Sequence, residues 1–175
     1  MKLIIKRLKK GDWDRYKYTI SKLEKSAFNV EERTNKWVFR EFINDYNPYT
    51  AIFYYGHIPV GYYLATYLEV SCDNDMFKKI DKQYGKHNTL YLYNFGVHKS
   101  YQKLGIGKKM FEHFLMLADK KFKRVTLHSR NKNMIRLAYR NGFRILNVEN
   151  VFQKKFNYRY MARWQDGQEK NRLVG

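Results

Sequence analysis

The stretch that most restricts what this chain can become runs from Thr89 to Lys121. An apolar and aromatic run from Thr89 to Val97, interrupted by Gly96, gives way to the polar loop His98-Lys99-Ser100-Tyr101-Gln102-Lys103-Leu104. Gly105-Ile106-Gly107-Lys108 then opens an amphipathic helix with Met110, Phe111, Phe114, Leu115 and Ala118 at helical spacing. Strand, loop, helix is the organising motif. Glycines at 105 and 107 let the backbone turn tightly and let a ligand approach with no Cβ in the way. The first N–H groups of the helix lack intrahelical acceptors and point outward with the positive end of the dipole. That layout suits an anion, and a diphosphate fits it. Two spaced glycines alone are a weak signal, because a glycine-rich helix start is often only a packing solution.

The rest of the chain reads as one unit around this motif. A strand from Leu3 to Leu8 precedes a helix that Gly11-Asp12 caps, with Trp13, Tyr16, Ile20, Leu23 and Ala27 at helical spacing and an end near Ser26. A second helix is predicted from Glu31 to Asn44, with Trp37, Val38, Phe42 and Ile43 facing the core, until Asn47-Pro48 stops it. Thr50 to Tyr55 and Val60 to Val70 form a hairpin around a Gly56-His57-Ile58-Pro59 turn, and the polar segment Ser71 to Asn88 reads as a mobile insertion. After the organising helix come a short strand from Val125 to His128, a helix from Asn131 to Asn141 closed by Gly142, and strands from Phe143 to Val148 and Phe156 to Trp164. Residues 1–165 therefore read as a single domain, and 166–175 as a disordered tail.

Composition narrows the partners. Hydrophobic residues make up 44% of the chain and aromatics 18%, which is ample for a packed core. The net charge is +19, but the basic residues are spread along the chain in ones and twos. A solvated basic surface explains that spread better than a nucleic-acid site, and attraction to polyanions, phosphates among them, is the functional alternative. No apolar run approaches the ~20 residues needed to span a bilayer, and the N-terminal apolar stretch is too short for a secretory signal, so a cytoplasmic location without membrane attachment is expected. Cys72 is the only cysteine, which excludes an internal disulfide and a cysteine-based zinc site. The histidines at 57, 87, 98, 113 and 128 are scattered without a His-x-x-x-His pair, so no metal is expected. The chain also lacks the phosphate loop of nucleotide hydrolases and the Gly-x-Ser-x-Gly elbow of serine hydrolases.

Gln102-Lys103-Leu104-Gly105-Ile106-Gly107 resembles the Gln/Arg-x-x-Gly-x-Gly/Ala signature of the GNAT superfamily of N-acetyltransferases. Asn131-Lys132-Asn133-Met134-Ile135-Arg136-Leu137-Ala138-Tyr139-Arg140-Asn141-Gly142-Phe143 is similar to that family's second signature, an asparagine opening a helix that ends in Gly-Phe. The signatures stand in the family's order, and the resemblance covers Leu3 to Trp164. It implies an α/β (α+β) fold with a mixed, mostly antiparallel sheet of about seven strands, splayed at the middle and flanked by about four helices. It further implies that acetyl-coenzyme A is the co-substrate and an amine the acceptor. Backbone of Phe95, Gly96 and Val97 would pair with the pantetheine arm. Gln102, Lys103, Leu104, Gly105, Ile106, Gly107 and Lys108 would hold the diphosphate, and Asn131 would contact the coenzyme, although a plain helix N-cap is its alternative reading. Family members include monomers and homodimers, and both stay open.

The proton carriers match the family less well. Ala138 stands where relatives place a tyrosine acid, with Tyr139 one residue along and rotated by about 100° on a helix. Thr126 stands where one branch places a glutamate base. Tyr139, Glu69 at the end of a hairpin strand, His128 at the end of the next strand and His98 are the candidates for proton transfer, each with a core or surface role as its plainer reading. Tyr91 and Tyr93 are candidates to line the acceptor slot, and Cys72 lacks an evident base for an acyl-enzyme. Direct attack of an amine on the thioester is the expected reaction. A catalytically weak acyl-coenzyme A-binding module of the same fold is the alternative.

Overall fold

The computed structural model describes residues 2–44, 49–71, 87–149 and 157–165. The strands are β1 (Ile4–Arg7), β2 (Tyr49–Tyr55), β3 (Ile58–Tyr67), β4 (Thr89–Val97), β5 (Arg124–Ser129), β6 (Arg144–Glu149) and β7 (Tyr158–Trp164). They hydrogen-bond as a 7-stranded sheet in the order β1-β2-β3-β4-β5-β7-β6. The pairs β1–β2, β2–β3, β5–β7 and β6–β7 are antiparallel, and β4–β5 is parallel. The α-helices among the described residues are α1 (Trp13–Ala27), α2 (Lys36–Asn44), α3 (Leu68–Ser71), α4 (Ile106–Ala118) and α5 (Lys132–Arg140). This is the mixed, mostly antiparallel sheet expected, with the short α3 as an addition.

By its internal contacts the chain divides into two compact units, Met1–Thr66 with Tyr93–Leu115, and Tyr67–Leu92 with Met116–Gly175. In the first unit Ile20 and Leu23 of α1 and Phe39 and Ile43 of α2 are buried, with Trp13 stacked on Phe39 at 6.2 Å and Phe39 edge-on to Tyr62 at 5.8 Å. Met110, Phe111 and Phe114 of α4 are fully buried, and Phe114 meets Tyr63 at 5.4 Å. Burial of these large side chains is what holds the helices, at about 2 kcal/mol per fully buried aliphatic or aromatic group. In the second unit Leu90, Val125, Leu127, Ile135, Phe143 and Met161 are among the buried residues. Arg124 is buried with them, its Nε donating to Thr89 Oγ1 at 3.0 Å.

Several boundaries differ from expectation for local reasons. Asp12 precedes α1, but its carboxylate accepts from the Lys9 amide at 2.9 Å and caps no helical N–H. The predicted helix from Glu31 is a 3-10 turn (Val30–Glu32) followed by an extended break, and α2 begins at Lys36. Arg33 donates from Nε to the Phe28 carbonyl and from Nη2 to the Lys25 carbonyl, both at 3.3 Å, so the break is tied to the end of α1. The later start leaves Trp37 61% exposed and puts Phe39 in the core in its place. In the hairpin only Gly56-His57 turns, and Pro59 lies in β3 beside a register shift at Phe53/Tyr54, as expected where a residue has no N–H to give the ladder. β3 ends at Tyr67, so Glu69 lies in α3 and not on a strand. Asn47-Pro48, most of the Ser71 to Asn88 insertion including Cys72, and the 166–175 tail lie outside the described residues.

Candidate active site

The loop after β4 is built in the first unit. Its entry is fixed by the His98 amide donating to the Val60 carbonyl at 2.9 Å and by the Lys99 amide donating to Ser26 Oγ at 3.0 Å. A 3-10 turn (Lys99–Tyr101) follows, with the Ser100 amide donating to His98 Nδ1 at 3.3 Å. Gln102 folds back, its Nε2 donating to the Val97 carbonyl at 3.1 Å. Its side chain therefore braces the loop. Lys103 then has φ +64° and Gly105 φ +77°, and such alternation turns successive N–H groups toward one side as an anion-binding concavity. The next recorded amide bond is Lys109 N to the Gly105 carbonyl at 3.2 Å, the first of α4. Among the described residues nothing accepts from the amides of Lys103 to Lys108. Leu104, Gly105 and Lys108 are exposed, while Ile106 is buried and anchors the helix start.

β4 carries two different neighbourhoods. Thr89 to Leu92 pair with Arg124 to Leu127 of β5, and the parallel ladder ends there although β4 continues to Val97. In the first unit Gly96 has no room for a side chain, because a Cβ would stand 2.9 Å from Tyr62, 3.0 Å from Phe28 and 3.1 Å from Ala27. Gly61 faces the same constraint, 2.9 Å from the Gly96 carbonyl oxygen. Gly107 differs, with only ordinary contacts to Val97 at 3.7 Å and Phe95 at 3.9 Å.

Next to Gly96 lies a group the sequence did not single out. Glu24 of α1 is buried, with Tyr62 donating its hydroxyl to Oε1, Asn94 Nδ2 donating to Oε1 at 2.8 Å and the Thr34 amide donating to Oε2 at 3.2 Å. Asn94 Nδ2 also reaches Thr34 Oγ1 at 2.6 Å. Burial pushes the Glu24 carboxyl above its ordinary value, opposed by these hydrogen bonds and by Arg33. Tyr93, edge-on to Phe42 at 5.0 Å, is likewise raised by burial and by the carboxylates of Glu24 and Glu41. A glutamate at an inward helical position was the only signal in the sequence, and its partners lie up to 70 residues away.

The second unit holds the other candidates. Asn131 is the N-cap of α5, its Oδ1 accepting from Asn133 N at 2.9 Å and Met134 N at 3.2 Å. Gly142 closes that helix at φ +83°, with Phe143 N bonded to the Ala138 carbonyl and Gly142 N to the Tyr139 carbonyl. Tyr139 is 49% exposed, so it is not a core residue, while Ala138 and Thr126 are fully buried. His128 shares a 3.0 Å hydrogen bond from Nδ1 to the Tyr91 hydroxyl and stacks on Tyr160 at 4.5 Å. Glu69 accepts from the His87 amide at 2.6 Å and faces the same residue's Nδ1 at 3.1 Å. Among the described residues no cluster of three or more His, Cys, Asp or Glu is placed to hold a metal ion, and no helix is long and apolar enough to cross a membrane.

Residues 16–143 match the family model described as the acetyltransferase (GNAT) family. No curated protein sequence matches the chain. Among solved structures, Arabidopsis thaliana Naa50 in complex with a bisubstrate analogue is similar at 17% identity and a TM-score of 0.70, covering 94% of this chain and 100% of that one. The ribosomal-protein-S18-alanine N-acetyltransferase from Escherichia coli is similar at 15% identity and a TM-score of 0.69, over 96% of this chain and 98% of that one. A GNAT-like decarboxylase, GphF, in complex with isobutyryl-coenzyme A has 12% identity and a TM-score of 0.70, over 92% of this chain and 98% of that one. At such identities these likenesses show the fold.

Proposed function

Because the chain belongs to the acetyltransferase (GNAT) family, we propose that it transfers an acetyl group from acetyl-coenzyme A to an amine, with the coenzyme's diphosphate held by the amides of Lys103 to Lys108. The observation that carries this is the turn itself: left-handed backbone at Lys103 and Gly105, and a run of N–H groups with no protein acceptor at the start of a helix of 13 residues. The Phe95–Val97 segment is the edge we assign to the pantetheine arm, since the β5 ladder stops short of it at Leu92. Several relatives of this fold were solved with coenzyme A, an acyl-coenzyme A or a bisubstrate analogue, which supports the same ligand here. The reaction needs a neutral amine, a polarised thioester carbonyl and a proton for the leaving thiolate. Of the side chains considered for proton transfer, His128 is held within the second unit by stacking on Tyr160 and a hydrogen bond to the Tyr91 hydroxyl, and it is the candidate taken to test.

Gly107→Val tests the cradle. A Cβ at Gly107 meets only ordinary contacts with Val97 at 3.7 Å and Phe95 at 3.9 Å, so the variant is expected to fold, and its spectrum checks that. Titration calorimetry with acetyl-coenzyme A is expected to show at least about a tenfold weaker Kd with an unchanged circular dichroism spectrum. An unchanged Kd removes the cradle. Thiol release over a panel of amines, run on the wild-type protein, then separates transfer from binding alone.

A further inference from the structure

Basic residues that the sequence spreads in ones and twos are partly gathered by the fold. On α1, Arg15, Tyr18, Lys22 and Lys25 are all exposed, Tyr18 to 79%. At 100° and 1.5 Å per residue they fall within about 80° of one another around the helix and within about 15 Å along it. The two carboxylates of the helix are taken up elsewhere. Asp14 accepts from Lys17 at 2.9 Å, and Glu24 is buried with the Tyr62 hydroxyl, the Asn94 amide and the Thr34 N–H on it. The bond from the Lys99 amide to Ser26 Oγ brings a fourth exposed cation beside the last turn of α1. Among the described residues none of these four cations is paired with a carboxylate. Like charges so placed repel one another, and an anion on that face would relieve them.

Lys22 also lines a cavity of about 500 Å³, a volume typical of small-molecule clefts. Ile58 and Pro59 of β3 supply apolar wall, and His98, Ser100 and Tyr101 of the loop after β4 supply polar wall. The His98 ring meets that of Tyr101 edge-on at 5.6 Å. Because His98 Nδ1 accepts from the Ser100 amide, its ring hydrogen is on Nε2. The polar lining can therefore donate from an ammonium, an imidazole N–H and two hydroxyls, and it contains no carboxylate. Rings and a proline beside such donors suit a flat heterocycle that carries acceptors and an anion next to it. All of these residues belong to the first unit, and the amides of Lys103 to Lys108 take no part.

We propose that single-stranded nucleic acid binds along this face of α1, with phosphates on Arg15, Lys22, Lys25 and Lys99, one base on Tyr18 and another in the cavity beside Tyr101. The pairing of cations with exposed rings selects this partner. Lysine and arginine hold a phosphate backbone whatever its sequence, and every base offers a π-face to an aromatic side chain. A duplex keeps its bases stacked and paired, so it reaches the cations and leaves the cavity empty. An anionic membrane asks for an apolar helix face, whereas Trp13, Ile20 and Leu23 of α1 are turned into the core. Binding of this kind needs no acetyl transfer, so it stands or falls apart from the proposed activity.

Fluorescence anisotropy on the full chain, with labelled oligothymidylate of about 12 nucleotides, tests it. Lys22→Glu and Lys25→Glu are each expected to weaken binding about tenfold or more, and to flatten the dependence of log affinity on log salt by about 0.7 per lost phosphate contact. The same charge change at the exposed Lys120, in the second unit, is expected to cost less than about threefold. An abasic strand of equal length carries the same phosphates and should bind at least about tenfold more weakly, which reads the base contacts without altering the protein. Saturating acetyl-coenzyme A should leave the strand bound. Equal losses at Lys22 and Lys120 would reduce the effect to net charge and overturn the site. An abasic strand or a duplex that binds as tightly as oligothymidylate would do the same, as would displacement by acetyl-coenzyme A, which gives the cavity to the coenzyme. A wild-type protein that leaves the strand free overturns it too, and Lys22-dependent binding to phosphatidylserine vesicles in that case makes the face a membrane surface.

Discussion

Gly105 sits at φ +77° with open space where a Cβ would stand, whereas Gly107 has ordinary backbone and only van der Waals neighbours. The first glycine serves the turn, since an L-residue there would cost about 1 kcal/mol or more in a left-handed conformation. At the second, a side chain would meet Val97 and Phe95 of β4 at ordinary distances. In the sequence the pair is a single Gly-x-Gly signal, and only φ and clearance separate the two roles. Lys103 was legible as a loop residue but not as a left-handed one, because a non-glycine at positive φ has no reliable signature in composition. His128 was legible as a strand-end histidine, and its hydrogen bond to Tyr91 was not, since the two lie 37 residues apart. His128→Gln is expected to lower kcat about tenfold or more with acetyl-coenzyme A affinity unchanged. Stopped-flow thiol release checks it, and wild-type turnover in the variant dismisses the role.

At the scale of elements, helical periodicity located α1, α4 and α5 within a few residues, because each has an apolar stripe and a polar face. Periodicity failed at α2, where the stripe was extended back through Glu31 although Arg33 is extended and both it and Thr34 are hydrogen-bonded to α1. Those ties are long-range side-chain bonds, which local pattern does not encode. Asn131 caps α5, and the family resemblance alone proposes a coenzyme contact for it as well. Its Oδ1 is committed to the first amides of α5, so Asn131→Ala should cost about 1 kcal/mol of stability in urea denaturation. Coenzyme affinity measured on the same variant reads the other role separately, and a Kd that does not move leaves Asn131 a cap alone.

For the whole molecule, a mixed, mostly antiparallel sheet of about seven strands was implied by the two signatures and their succession, and the 7-stranded sheet agrees with it, whereas the order of the strands within the sheet was not legible. The charge of +19 was read as dispersed, yet the field of a cationic protein still raises the local concentration of an anionic coenzyme. Acetyl-coenzyme A affinity should therefore fall about tenfold between about 0.05 and about 0.5 M NaCl, with smaller change for an uncharged pantetheine thioester. Equal salt responses for the two ligands would assign the charge no part in binding.

Gly61 and Gly96, each hemmed in by neighbours at about 3 Å, set a limit on how the protein can be remodelled. Any enlargement there must push apart tightly packed atoms before it meets a substrate. A designer seeking a different acyl donor would find these two positions closed to diversification, and would have to redraw selectivity from the helices and loops around them.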